Sequence, residues 1–413
     1  GVHTKTLMLP RALEIASAAR NAGAFSVAGG PDAATRPERY LEGGFDAVVT
    51  GEGEEALREV AELRHRGMEV DHLPGVVVVH RGKLVRGPAR PFLKDLDSLP
   101  LPAWDLIDME QYLGRWKART GDRRAAVVTS RGCPFDCSWC SKPTFGRTYR
   151  QQSVERVLQE LRALKAQYRV DYVRFCDDVF GIQRTWLESL LDRMISESLE
   201  LRFECLARVD LLKPDLLGRM RRAGLERVYV GVESGSQKML DLMNRGTKLK
   251  QVERTAAALR AEGIRQFWFL MLGYPGETLE DIEATFRLFR RFSPEEYSVS
   301  IAVPVPGTRL YAKVRDRLTG RERARRPGSS LLFEAAYPET LYRWQQARFA
   351  LEATVRKAEG RLTPRVLGQI RRAVDEIHER VAKPLILGAS GEKRRTPPRW
   401  PPVLPNPPAS GSP

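Results

Sequence analysis

Cysteine is scarce in this chain, five in 413 residues, and histidine is equally so. So few thiols exclude a disulfide framework and suit a reducing cytoplasm. Long apolar runs are also missing: no stretch is long enough to cross a bilayer, and none reads as a signal peptide. With 42% hydrophobic and 29% charged residues, the composition is that of an ordinary globular protein with core for two or three domains. Met is lacking at the start. The chain opens on Gly1 and its first segment reads as the middle of a domain, so the expectation is a piece of a longer protein.

Acidic residues are the minority, 52 against 68 Lys and Arg, for a net charge of +16. A basic balance invites a nucleic-acid reading. The arginines, however, are spread over the whole chain, with local runs only at Arg321 to Arg326 and Lys393 to Arg399. No RNA-binding signature accompanies them. The favoured reading is a solvated arginine-rich surface, with no nucleic-acid partner.

What is present is one dense motif, Arg131-Gly132-Cys133-Pro134-Phe135-Asp136-Cys137-Ser138-Trp139-Cys140. Cysteines separated by three and then two residues can close three thiolates around one iron-sulfur cube, leaving a fourth iron without a protein ligand. Structural zinc wants a fourth Cys or His close by. The next cysteine is Cys176 and the nearest histidine is His80. The motif follows a short strand, Ala125 to Ser130, and precedes a helix capped by Ser153, so it occupies the loop at the carboxyl end of a first barrel strand.

These residues resemble the radical S-adenosylmethionine superfamily, whose hallmark is this cysteine spacing with an aromatic residue, here Trp139, just before the last cysteine. The resemblance implies a 4Fe-4S cluster on Cys133, Cys137 and Cys140. Its open iron would chelate the amino and carboxylate groups of S-adenosylmethionine. An electron from a donor such as flavodoxin or ferredoxin would then release a deoxyadenosyl radical.

The remaining chain reads as alternating strands and helices. In residues 1–70, helix Pro10 to Asn21, strand Phe25 to Ala28, helix Pro37 to Leu41, strand Asp46 to Thr50 and helix Glu54 to Arg64 predict a doubly wound, Rossmann-like α/β unit. Its glycine turns, Gly29-Gly30 and Gly51-Glu52-Gly53, resemble the cobalamin-binding domain that precedes the radical domain in one subgroup. That likeness implies cobalamin as a third cofactor flanked by Gly29, Gly30, Gly51 and Gly53; ordinary tight turns are the competing reading. Asp71-His72-Leu73-Pro74-Gly75 has the wrong spacing for a cobalt-ligand motif, and His72 reads as a linker residue. A hairpin, Val76 to Val85, and a Pro-rich linker fill 71–121. Six strand-helix repeats in 122–310 predict a partial (β/α)6 parallel barrel with polar residues at strand ends. Residues 311–387 read as helical, and 388–413 as a disordered Pro- and Arg-rich tail.

By position, the resemblance puts Trp139 at the adenine and Asp177 or Asp178 at the methionine amino group. It puts Arg208 at the carboxylate, and Glu233 with Ser234 at the ribose or amino group. A structural polar network is the alternative for each. Cys176 and Cys205 read as core. The expected activity is methylation of an unactivated carbon in a small molecule. Alternatives are a cyclase or rearrangement enzyme without functional cobalamin, an RNA-modifying methylthiotransferase-like enzyme, or a non-catalytic sensor.

Overall fold

The computed structural model describes residues 1–5, 8–140, 145–319 and 331–389. The tail from 390 onwards and the arginine run at 321 to 326 lie outside them. No helix among the described residues is long and apolar enough to cross a membrane.

The first sheet has five strands: β1 (Val2–His3), β2 (Val27–Gly29), β3 (Ala47–Val49), β4 (Val76–His80) and β5 (Lys83–Arg86), paired in that order. The first three are parallel, and β3 to β5 run antiparallel. The hairpin placed with the linker therefore extends the amino-terminal sheet, because Val76, Val77 and Val78 supply the apolar residues that cover β3. Both faces are covered. Helices α1 (Leu9–Asn21), α2 (Pro31–Thr35) and α3 (Pro37–Glu42) pack on one through Ala16, Tyr40 and Leu41. Helix α4 (Glu54–His65) packs on the other through Ala56 and Val60.

The linker also contains a helix the prolines conceal, α5 (Met109–Thr120). Asp108 caps it, accepting from the Gln111 amide at 2.8 Å, and Gly121 ends it in the left-handed region.

The second sheet is wholly parallel: β6 (Arg124–Val127), β9 (Tyr172–Phe175), β10 (Arg202–Ala207), β11 (Leu225–Glu233), β12 (Arg265–Leu272) and β13 (Glu296–Ile301), in sequential order. Between β6 and β9 a small ribbon, β7 (Ser130–Arg131) with β8 (Arg150–Gln151), closes the base of the cysteine loop. The outer helices are α6 (Val154–Tyr168), α7 (Arg184–Ser196), α8 (Pro214–Arg222), α10 (Leu249–Ala261) and α11 (Leu279–Phe292), with the short α9 (Gln237–Leu242) before α10. Strands and helices bury one continuous core that includes Leu161, Phe203, Leu217 and Trp268. Ser153 caps α6, and Thr278 with Asp281 forms the capping box of α11. The result is an open six-stranded α/β barrel whose strand ends face one side.

Beyond it, α12 (Arg309–Val314) packs beside the cysteine loop. Helix α13 (Glu339–Lys357) lies on the last strand and α11. Helix α14 (Pro364–Ile377) continues through a π-turn, His378–Ala382, into α15 (Lys383–Ala389).

Candidate functional site

The loop from Arg131 to Cys140 is held in place from three directions. Gly132 sits at φ +82°, and a Cβ there would lie 2.1 Å from the Thr148 carbonyl, so only glycine fits. The Ser138 amide and hydroxyl both donate to the Met243 carbonyl, at 2.9 and 3.0 Å. The Asn244 amide donates to the Asp136 carbonyl at 2.6 Å, and Arg309 also reaches that carbonyl.

So anchored, Cys133, Cys137 and Cys140 line a single cavity of about 550 Å³ at the carboxyl ends of the barrel strands. Cys133 is buried, Cys137 half-buried and Cys140 exposed. Two guanidinium groups approach one sulfur: Arg245 Nη1 is 3.4 Å and Arg208 Nη1 3.9 Å from Cys137 Sγ. This sets positive charge beside a sulfur of the kind that ligates iron. The donor set therefore fits a cluster whose remaining face opens into the cavity.

The polar residues expected around this cavity divide by what they already hold. Asp177 is consumed: its carboxylate accepts from the Thr129 and Ser130 amides at 2.7 and 2.8 Å and from the Thr129 hydroxyl at 2.6 Å. Burial pushes it up to about 6 against the downward pull of those bonds. It is a brace under the cysteine loop, and its neighbour Asp178 is the one exposed on the cavity wall. Arg208 is also engaged, with both Asp210 oxygens at 2.9 Å and the Arg245 carbonyl at 2.8 Å, and its plane lies over Phe135. That fork is committed to Asp210 rather than held open for a carboxylate ligand.

Ser234 does not reach the cavity. It is fully buried, 3.0 Å from the Thr285 hydroxyl, and accepts from the Ser236 amide, so it belongs to the packing of α11.

Glu233 does line the cavity, as does Trp139. A register shift between Gly231 and Glu233 breaks the pairing with β12, and Glu233 takes φ +65°. Such a bulge re-aims a side chain at the cost of local strain. Burial pushes Glu233 up to about 7, opposed by Arg245 and Arg208. Arg245 is the residue that sequence reasoning missed. It follows a short helix that sequence pattern does not reveal, and the Asn244-Arg245-Gly246 turn is the sole local signal. Cys205 is buried core, whereas Cys176 is exposed at its strand end, a correction to the core reading of both.

The glycines gather at a second cavity of about 520 Å³, where Gly29, Gly30, Gly51 and Gly53 line the strand ends of the first sheet. Phe145 lines both cavities. Between them stands Glu52, buried. Its carboxylate takes Arg131 at 3.0 Å, Arg150 at 2.8 Å and the Leu93 amide at 2.6 Å. Burial alone would raise it, but these three partners outweigh that and hold it below the usual carboxylate range.

Residues 127–289 match the Radical SAM superfamily. An uncharacterized methyltransferase, PH0819 of Pyrococcus horikoshii, is 32% identical over 316 residues, covering 75% of this chain and 68% of that protein. The chain belongs to the radical SAM superfamily. The anaerobic magnesium-protoporphyrin IX monomethyl ester cyclase of Rubrivivax gelatinosus is 29% identical, covering 66% of this chain and 50% of that one. Among solved structures, TsrM from Kitasatospora setae, a radical S-adenosylmethionine methyltransferase with cobalamin and a [4Fe-4S] cluster bound, superposes with a TM-score of 0.65 at 21% identity. The match covers 75% of this chain and 63% of TsrM. The chain thus spans half to two thirds of its relatives' length. As a radical SAM protein it uses a 4Fe-4S cluster and S-adenosylmethionine and requires a reductant. Cys133, Cys137 and Cys140 are the thiolates that could hold the cluster.

Proposed function

We propose that this protein is a cobalamin-dependent radical methyltransferase acting on an unactivated carbon of a small molecule. The observation that carries the proposal is the adjacency of the two cavities across Phe145. A group seated among the glycines would face whatever lies above the cysteines. The names of PH0819 and TsrM support the same reading.

When bound, the cluster supplies the electron that cleaves S-adenosylmethionine to a deoxyadenosyl radical, and cobalamin supplies a transferable methyl group. The protein's own work is positional. Cys133, Cys137 and Cys140 hold the cluster, with Arg208 and Arg245 balancing thiolate charge at Cys137. Trp139 forms a wall for the adenine. Glu233 and Asp178 receive the cationic amino group or the ribose hydroxyls, and Arg245 adds a cation to the cavity wall 3.4 Å from the Cys137 sulfur. Asp177 braces the loop from below. Gly29, Gly30, Gly51 and Gly53 flank the cobalamin, where missing side chains let backbone approach closely. A flavodoxin or ferredoxin in a reducing cytoplasm would deliver the electron.

A second reading, oxidative cyclisation without functional cobalamin, is favoured by the likeness to the magnesium-protoporphyrin cyclase. Anaerobic reconstitution with and without cobalamin separates the two. About four irons per chain, deoxyadenosine formation and a retained cobalamin spectrum are expected. Deoxyadenosine without retained cobalamin selects the cyclase reading, and zinc without cleavage overturns both.

A further inference from the structure

Along the barrel strands every second residue is packed under the helices: Val173 and Phe175 in β9, Val228 and Val230 in β11, Trp268 and Leu270 in β12. Their neighbours Arg174, Tyr229, Phe267 and Phe269 point into the barrel, as the two-residue period of a strand requires. None of these four is buried. Pairing of Tyr229 with Phe267, and of Gly231 with Phe269, brings three rings together. Ring centroids are 5.0 Å apart for Tyr229 and Phe267, 4.9 Å for Phe267 and Phe269, and 6.2 Å for Tyr229 and Phe269. Phe269 and Leu206 also line the cysteine cavity, so this aromatic shelf is continuous with the candidate active site.

Towards the amino ends of the strands a polar plug closes the barrel. Its centre is Glu204, buried, which accepts from the Tyr172 and Tyr229 hydroxyls at 3.2 and 3.3 Å. Arg124, Arg174 and Arg227 approach the same carboxylate at 3.5, 3.6 and 3.7 Å. Three cations thus share one anion. Arg124 has a second carboxylate in Asp122 at 2.6 Å, and Arg227 one in Glu296 at 3.2 Å. Arg174 has none among the described residues. Its side chain is 52% exposed, and its guanidinium lies 4.8 Å from the centre of the Tyr229 ring. A guanidinium set over an aromatic face keeps N–H groups at its edge for a further partner. Lys5, after β1, adds a positive charge felt at the neighbouring Cys176.

We propose that the substrate of this site is an amphipathic anion: its flat apolar part lies on Tyr229, Phe267 and Phe269, and its carboxylate or phosphate pairs with Arg174. The proposal rests on the radical methyltransferase reading and adds what the substrate must carry. Aromatic faces take a flat skeleton by stacking. A planar guanidinium matches an anion that offers two oxygens.

Fluorescence titration of the anaerobically reconstituted protein tests this with two probes of one skeleton. One is anilinonaphthalene sulfonate, whose sulfonate stands for the anionic group; the other is uncharged phenylnaphthylamine. Arg174→Ala should weaken sulfonate binding about tenfold and leave the uncharged probe within about twofold. Arg174→Lys keeps the charge without the fork and should cost about threefold. Phe269→Ala should weaken both probes about tenfold. Arg66→Ala, which removes an exposed arginine just beyond α4, should change neither. An Arg174→Ala variant that affects both probes alike or neither, or an Arg66→Ala variant that matches it, overturns the proposal. Deoxyadenosine formation by the wild type, measured on the same preparation, reports on the radical reading separately. If none forms, that reading falls and the proposal with it; if it forms and the Arg174 effect is missing, only the substrate assignment falls.

Discussion

The two sheets solve the same problem, holding a ligand at strand ends, with opposite materials. In the amino-terminal sheet, strands β1 to β3 are two or three residues long and the cavity is lined by glycines and small apolar residues, with His3, Glu52 and Glu54 beside them. In the barrel, strands run from four to nine residues and the cavity carries thiols, carboxyls and guanidinium groups. A glycine-rich rim lets backbone approach a ligand closely. The side-chain rim imposes charge, and needs braces such as Asp177 and Asp210 to keep those groups aimed. Glu52 joins the two regimes, for it belongs to the glycine turn yet its partners are Arg131 and Arg150 of the cysteine loop.

The largest expected effect breaks the side-chain site alone. Cys137→Ala should abolish cluster assembly and deoxyadenosine formation while leaving the first sheet intact; a variant with full iron and turnover would refute the cluster assignment. Next in size, Glu52→Ala removes the shared carboxylate from two largely buried guanidinium groups, Arg131 keeping Glu54 and Arg150 the Leu93 carbonyl, and should cost about 2 kcal/mol in denaturant unfolding. It should weaken retention at both sites, whereas an effect on one site only would mean that the two do not communicate through this residue. Because the folded carboxyl is depressed, its stabilisation is present above about pH 4.3, the unfolded value, and is lost as pH falls through the folded value.

Gly30→Ala attacks the backbone rim. At φ +93° the new Cβ would lie 2.8 Å from the Thr4 carbonyl, so about 2 kcal/mol of strain is expected. Cobalamin retention should fall with iron content unchanged. Glu233 then sharpens the charged side. Raised to about 7, it is mostly ionised at pH 8 and mostly neutral at pH 6. If the carboxylate receives a cationic group, S-adenosylmethionine affinity should drop about tenfold over that interval. Glu233→Gln should flatten the profile, and an unaltered profile would remove Glu233 from the contact. The smallest change is Gly51→Ala. It shares a positive φ, +81°, but has nothing within 4 Å, so about 1 kcal/mol or less is expected. If it matched Gly30→Ala, strain rather than close approach would govern the rim.

Much of this was legible from residue order. The six parallel strands follow sequence order because each strand-helix pair carries its own period and its own stops, such as Pro214 before α8 and Gly224 after it. The cysteine spacing is a covalent fact and needs no fold to be read. Less legible were α5, masked by the prolines before it, and α9, too short to show a period. Arg245 was hidden for the same reason, since its importance comes from what α9 brings near it.

The sequence by itself determined the alternation of strands and helices, the thiolate triad and the glycines at the first sheet's strand ends. These are local patterns or spacings along one chain. Only the tertiary structure decided how each polar residue at the cavity is held. Asp177, Arg208 and Ser234 look equivalent to Asp178 and Glu233 as residue types at strand ends. Partners distant in sequence, among them Thr129, Arg245 and Thr285, commit the first set to internal bonds. A hydrogen bond between residues tens of positions apart has no signature in either residue's neighbourhood, so the way a polar group is held is a property of the fold.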